Sequence, residues 1–359
     1  MAEKILIIGL GLIGGSLGLA LQGSALVQRI TGLDSQQDAV KQAIAIGAIQ
    51  ESPPLDEAVS RASVIFLCTP MAAYAQILQD IMPFVRPGTL ITDVGSTKMK
   101  VQALFSGLPA DVCGMGGHPM AGAEIAGIQG ADRYLYENAV YVLTPAADTP
   151  RPAIDRLSGL IGETGAKVHI MEARLHDRIV AQVSHVPHLA AAALLNVTRG
   201  DRQAMMMAAG GFRDTTRVAS GNPGLWEDIV LSNRKYITAE LDKLISELQA
   251  MQRAVADGDR IRLRAGLEQA RKIRAQIPHL QRTYLGESTD IVCIVPDKPG
   301  VIGQLGNILG SCQVNIMDLE ILRIREGDGG TIRISVPDDD AALRAVEALS
   351  RQHIKAWMK

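Results

Sequence analysis

No run of eighteen or more apolar residues occurs in this chain of 359 residues, so no segment reads as a membrane span. Basic residues are not in excess: 36 Lys and Arg face 38 Asp and Glu, for a formal charge of −2. A general nucleic-acid binder carries a basic surplus, so that class is set aside. Cysteine is scarce and scattered. Cys68, Cys113, Cys293 and Cys312 form no CxxC pair, and no HExxH occurs. No metal site is therefore expected, and the four cysteines read as reduced thiols in a cytoplasmic protein. The N-terminus, MAEKILIIGLGLIGG, has the apolar character of a signal-peptide core, but such a core has no use for three spaced glycines. Low-complexity tracts and fixed-period repeats are missing too. What is present is a 47% hydrophobic fraction, enough for two or three well-packed domains in a chain this long.

The first stretch alternates short apolar runs with helical segments. EKILIIGL, RITGLD, SVIFLCTP and GTLITDVGS read as strands, and GLGLIGGSLGLALQ and SQQDAVKQAIAIGA as helices; Val40, Ala43 and Ile44 share a face of the latter. Strands with unbroken apolar runs are buried on both faces, so the pattern predicts a Rossmann-like, doubly wound parallel sheet over residues 1–168. From about residue 170 nearly everything reads as helix. Pro187 is expected to kink or restart one helix, NPGLWEDI to ADGD reads as a single long one, and Pro278 is expected to stop the last. This gives an all-α domain over 169–283, apolar enough to suggest a homodimer. Residues 288–359 read as βαββαβ, the ferredoxin-like arrangement.

Gly9-Leu10-Gly11-Leu12-Ile13-Gly14 is GxGxxG, placed after a buried strand and before a helix. Gly9 allows a tight turn, Gly11 lets the backbone approach a pyrophosphate, and Gly14 lets the helix pack close. The N–H groups at Leu12 and Ile13 open the helix toward the phosphates. Asp34, twenty residues past Gly14, ends the second strand and can accept from a ribose diol. A 2′-phosphate would face its charge, so NAD is expected over NADP. Thr69 and Pro70, where SVIFLCTP stops, complete the expected cofactor contacts.

Polar residues cluster in four further motifs. VGSTK places Ser96 and Lys98 beyond a strand end, where they face a nicotinamide or substrate, or where Lys98 is merely solvated at a helix start. GMGGHPMAGAE holds His118 between Gly116-Gly117, read as allowing unusual backbone angles, and Pro119, with Glu124 closing the motif. SHVPH sets His185 and His188 three residues apart, on one helix face, as buried structural histidines or as contacts to an anionic substrate. FRDTTR offers Arg213, Arg217 and Asp214; an arginine fork reads a carboxylate. Met205 to Met207 read as core or interface filler.

With these motifs in one order on one chain, residues 1 to about 282 resemble the prephenate dehydrogenase family of tyrosine biosynthesis. The segment with DKPGVIGQLGNIL and NIMDLEI looks like an ACT domain, a small-molecule sensor. The resemblance implies NAD-dependent oxidative decarboxylation of prephenate. It implies that His118 contacts the ring hydroxyl and promotes hydride transfer, that Ser96 lies beside both, and that His188 lines the substrate pocket with His185 near. Arg217 would grip a carboxylate with Asp214 in support, and Glu124 would be linked to access. Ala123 stands where many relatives carry threonine. Asp297, Gly300, Asn315 and Ile316 fall where ACT domains hold an amino acid, which implies feedback by L-tyrosine. Arogenate is the alternative substrate, and a non-enzymatic NAD and amino-acid sensor is the rival from another class.

Overall fold

The computed structural model describes residues 2–123, 125–285, 289–296, 298–325 and 329–358. They fall into two compact units, Met1–Asp257 and Gly258–Lys359, so the helical stretch expected over 169–283 is shared between them.

The first unit opens with β1 (Glu3–Ile8), α1 (Leu12–Leu21), β2 (Val27–Leu33), α2 (Gln37–Ala45), α3 (Leu55–Arg61), β3 (Val64–Leu67), α4 (Tyr74–Ile81), β4 (Leu90–Asp93) and α5 (Met99–Phe105). It continues with β5 (Cys113–Pro119), β6 (Val140–Thr144), α6 (Arg151–Gly162) and β7 (Lys167–Ile170). The seven strands run in the order β2-β1-β3-β4-β5-β6-β7. Neighbours are parallel except β5 and β6. The apolar runs have a simple cause: alternate residues feed two cores. Ile5, Ile7 and Phe66 enter one, and Leu6, Ile8, Ile65 and Leu67 enter the other. Each such side chain contributes about 1.5–3 kcal/mol on burial. Strands β2 and β3 flank β1 on opposite sides, which puts the topological switch, and its ligand crevice, beyond the carboxyl ends of β1 and β3. On α2, Val40 and Ala43 are buried, but Ile44 points outward. The strand β5 escapes sequence reading because three of its seven residues are glycine, which is depleted in strands; pairing on both sides makes it one.

The remaining α-helices of the first unit are α7 (Ala173–Val180), α8 (Val186–Val197), α9 (Arg202–Met206), α10 (Gly210–Thr216), α11 (Pro223–Ser232) and α12 (Arg234–Ala256). A π-helical turn, Ala181–His185, joins α7 to α8. Pro187 sits just past it, in the first turn of α8, and the widened turn absorbs the missing N–H. The run Ala173–Val197 is long and apolar enough to cross a membrane by composition. It carries His176, Asp177, His185 and His188, all buried in this unit, while Val183, Leu194 and Val197 are exposed. The stretch expected as one helix from Asn222 to Asp259 breaks at Asn233, whose side chain is used elsewhere.

In the second unit, α13 (Arg260–Leu285) runs through Pro278 rather than stopping there. One lost N–H does not end a helix with 26 residues of ladder. Then come β8 (Thr289–Val295), α14 (Val301–Ser311), β9 (Asp318–Arg325), β10 (Gly329–Val336), α15 (Asp339–Arg351) and β11 (Lys355–Met358). The antiparallel sheet runs β11-β8-β10-β9, the ferredoxin-like order, over a core that includes Ile291, Cys293, Leu305, Ile334 and Leu349. Asp338 caps α15 by accepting the Ala341 N–H.

Candidate active site

The glycine turn is shaped by close approach. Gly9 has φ +102°, and a Cβ there would lie 2.6 Å from the Cys68 backbone, at the end of β3 next to Thr69. A Cβ on Gly14 would strike the Gly9 carbonyl at 2.0 Å, so α1 can pack this tightly only without one. Gly11 faces open space: nothing lies within 4 Å of its Cβ position. Gly11 caps α1 with no side-chain hydrogen bond, which leaves the first N–H groups, at Leu12 and Ile13, to an outside partner. Asp34 is half-buried at the end of β2. Its Oδ2 accepts the Leu10 N–H at 2.7 Å and its Oδ1 the Gln36 N–H at 2.8 Å, which ties the second strand to the glycine turn. Each oxygen keeps a second lone pair. An open cradle over Gly11, free helix N–H groups and an acceptor at the strand end fit a dinucleotide. Thr69 is half-buried and Pro70 exposed at the same edge.

Past the end of β4 the chain turns through Ser96 to Lys98. Lys98 is neither solvated nor turned to a ligand, contrary to both readings of the sequence. It is fully buried, and its Nζ donates to Asp93 Oδ2 and the Gly117 carbonyl, each at 2.5 Å. Burial lowers the Lys98 pKa, and Asp93 opposes this. Asp93 also accepts the N–H of Gly95 at 2.8 Å and of Gly117 at 3.0 Å. One carboxylate therefore fixes the VGS turn to the strand that carries His118. The glycines beside that histidine serve space rather than unusual backbone angles, a correction to their expected role. A Cβ on Gly116 would lie 2.5 Å from Thr144 Oγ1 and 3.1 Å from Lys98 Cδ; one on Gly117 would lie 2.6 Å from the Asp93 carbonyl oxygen.

His118, on β5, pairs with Val142 on β6 and is buried. Its Nδ1 lies 2.8 Å from His176 Nε2, with the rings at 74°. His176 Nδ1 lies 2.8 Å from Asp177 Oδ1. Burial, then the neighbouring His176, Lys98 and His185, hold His118 well below the usual histidine range, so its imidazole is neutral. His176 and Asp177, on α7, were not singled out from the sequence. Their only local signal is a His-Asp pair set among the apolar residues of ARLHDRIV.

His185 and His188 do share a face, and Trp226 fills it. His188 stacks on the indole at 3.5 Å and 12°, and His185 meets it edge-on at 6.1 Å. Gly221 makes room: a Cβ there would lie 2.4 Å from Trp226 Nε1. Asn233 Nδ2 donates to the Asp177 carbonyl at 2.7 Å and approaches His185 Nδ1 at 3.2 Å. Burial lowers the His185 pKa to about 4, against the pull of Asp177. Burial lowers that of His188 as well, and its Nδ1 is buried with no partner among the described residues. Thr97 Oγ1 donates to Ser232 Oγ at 2.9 Å, so the VGSTK turn also reaches α11. Ser96, between Gly95 and Thr97, is half-buried; Asp214 on α10 and Arg217 just after it are exposed. Met205 to Met207 are exposed rather than core. Glu124 and Asp297 lie outside the described residues. Gly300 takes φ +89° at the start of α14, and exposed Asn315 and half-buried Ile316 precede β9.

A dinucleotide cradle at a switch point, with a buried neutral histidine at the end of β5, two strands over from β3 in the same sheet, defines a nucleotide-dependent dehydrogenase. Comparison with known proteins narrows the class. The family description "Prephenate dehydrogenase, nucleotide-binding domain" matches residues 17–170, "Prephenate dehydrogenase, dimerization domain" matches 172–269, and "ACT domain" matches 289–353. Prephenate dehydrogenase of Bacillus subtilis (strain 168) is 34% identical over 356 residues, covering 97% of this chain and 96% of that one. The structure of Synechocystis arogenate dehydrogenase is 31% identical with a TM-score of 0.67, covering 76% of this chain and 99% of that one. The structure of prephenate dehydrogenase from A. aeolicus in complex with hydroxyphenyl propionate and NAD+ is 26% identical with a TM-score of 0.72, covering 77% and 99%. The chain belongs to the prephenate dehydrogenase family, with an ACT domain at its C-terminal end.

Proposed function

We propose that this protein oxidatively decarboxylates prephenate to 4-hydroxyphenylpyruvate and CO2, with NAD+ as hydride acceptor. The observation that carries the proposal is His118: a buried, neutral histidine one strand over from the Asp93–Lys98 tie, in a sheet whose switch point carries the dinucleotide cradle. Gly9, Gly11, Gly14 and the N–H groups at Leu12 and Ile13 would hold the pyrophosphate, Asp34 the adenosine ribose, and Thr69 and Pro70 the edge of the crevice. Asp34 favours NAD over NADP by charge. Bound NAD+ supplies the site for the hydride that leaves ring carbon C4. The neutral His118 accepts a hydrogen bond from the C4 hydroxyl as positive charge builds there, with Ser96 beside it. The C1 carboxylate leaves as CO2, its electron pair enters the ring, and the proton shared with His118 stays with the phenol oxygen. Charge and hydrogen balance with no net proton released. Arg217, supported by Asp214, holds a substrate carboxylate. The buried, unpartnered Nδ1 of His188 supports a place for it in the substrate pocket, with His185 behind it. Glu124 is assigned to access on the family resemblance.

Three finer assignments complete the proposal. The protein is a homodimer built on its helical domain, where Val197, Met206 and Met207 are each more than four-fifths exposed. L-Tyrosine binds the ACT domain near Gly300, Asn315, Ile316 and Asp297 and inhibits. The enzyme works in the cytoplasm on diffusible acids. Likeness to the Synechocystis enzyme favours arogenate as the second reading. The test is NADH formation with prephenate and with arogenate, each with NAD+ and NADP+. Turnover of prephenate with NAD+ supports the proposal, turnover of arogenate alone shifts the substrate, and none with either overturns it. Light scattering checks the dimer, and an unchanged rate in millimolar tyrosine would remove the effector.

A further inference from the structure

The proposed chemistry asks more of His118 than neutrality. A neutral imidazole carries one proton, and the ring can accept from a substrate hydroxyl only through the nitrogen that lacks it. In water the proton exchanges between the two nitrogens. A base that presents the wrong tautomer for part of the time loses that part of its activity.

The neighbours of His118 resolve the choice. Asp177 Oδ1 accepts the Lys98 N–H at 2.7 Å, and Oδ2 accepts the Met99 N–H at 2.9 Å, at the start of α5. Both oxygens are thus held by backbone donors, and the carboxylate meets His176 as an acceptor. His176 Nδ1, 2.8 Å from Oδ1, must carry the proton of that hydrogen bond. With the ring proton on Nδ1, the other nitrogen, Nε2, is the acceptor. His118 Nδ1, 2.8 Å from it, must be the donor. That leaves His118 Nε2 with its lone pair. The three groups are buried, so no solvent competes for these bonds. Asn233, which donates to the Asp177 carbonyl, steadies the same turn of α7.

We infer that His176 and Asp177 are positioning residues: they set the Nδ1–H tautomer of His118, fix its ring plane, and so keep Nε2 ready to accept. The inference rests on His118 being the proton-accepting group proposed above. Neither residue touches substrate or cofactor in this account. They act through His118, and they bind the sheet domain to α7 while doing so. The arrangement has the logic of a base oriented by a third group, here with a second histidine as intermediary.

The first measurement is made on the parent protein. Protein labelled with ¹⁵N-histidine reports which ring nitrogen carries the proton, and His118→Asn identifies its signals. We expect His118 protonated at Nδ1 near neutral pH; a proton resident on Nε2 overturns the inference and leaves the proposed reaction standing. The second measurement is kinetic. His176→Leu removes the acceptor, and His176→Gln restores one through its amide oxygen. The Leu variant is expected to lose roughly 10–10³-fold in kcat, below the full general-base term, with KM within a few-fold of the parent and His118 shifted to mixed tautomers. The Gln variant is expected to recover part of both. Parental kcat in His176→Leu overturns the inference, as does an equal loss in both variants with the His118 tautomer unchanged. Should the Leu variant not fold, the labelled parent still decides. A failure of the reaction itself would show instead as a parent that turns over neither substrate.

Discussion

Removing the Lys98 ammonium while keeping most of its length, with Lys98→Met, isolates the tie beneath the site. In the parent, Asp93 and Lys98 are both fully buried and 2.5 Å apart. After the substitution Asp93 retains the Gly95 and Gly117 N–H groups but no counter-charge, and the Gly117 carbonyl loses its donor. Breaking a buried pair from one side costs about 3–5 kcal/mol, because the remaining charge is stranded. The unit that must unfold spans Met1–Asp257. At the usual unfolding entropy per residue, that cost lowers Tm by about 6–9 °C. Calorimetry of the parent, of Lys98→Met and of Lys98→Met with Asp93→Asn makes the assay. The double variant strands no charge and is expected to recover at least half of the loss. A single variant melting within about 1 °C of the parent, the scale of an exposed lysine change, would show that no buried charge is stranded. So would a double variant less stable than the single.

Other outcomes follow from the same geometry. Gly117→Ala puts a Cβ 2.6 Å from the Asp93 carbonyl oxygen, so the strands must part. We expect a loss of about 1–3 kcal/mol in chemical denaturation and a fall in kcat, since His118 moves with its strand. Arg217→Ala is expected to raise KM about 10–100-fold with kcat nearly kept, the size of a charge-assisted hydrogen bond; a lowered kcat at constant KM would contradict its binding role. With the His118 pKa depressed, kcat/KM is expected to stay level as pH falls through the ordinary histidine value of about 6.5 and to decline only further down. Stability moves differently. The unfolded chain binds protons below about 6.5 that buried His118 and His185 refuse, so Tm falls as pH drops from there toward the His185 value of about 4. A Tm that rises over that interval would contradict the burial of neutral histidines.

Much of this architecture is legible in the chain because its causes are local. The run EKILII, the glycine spacing after it and Asp34 at the next strand end are each a matter of neighbours, and the sheet begins as they imply. The ferredoxin-like order of the last strands follows in the same way from alternation and turns. What eludes the sequence depends on partners far along the chain. Lys98 stands before a helix like any solvated lysine; only β5, coming to lie beside β4, encloses it, and the one hint is a carboxylate, Asp93, closing an apolar strand. His176 is 58 residues from the ring it touches. Gly116 and Gly117 were visible, but not their reason, since the atoms that leave no room for a Cβ come from Thr144, Lys98 and Asp93. Pro187 stands in the first turn of α8, directly after a π turn, as a restart requires, whereas Pro278 shows propensity overruled, inside a helix that continues past it.

The proposed reaction turns on a neutral, buried His118 that receives the hydroxyl hydrogen bond as hydride leaves. The most direct test is His118→Asn, assayed with prephenate and NAD+ alongside a binding titration with NAD+. Turnover is expected to fall roughly 10²–10⁴-fold, the size of a general acid–base contribution, with NAD+ affinity unchanged. Near-parental turnover in that variant would contradict that role of His118.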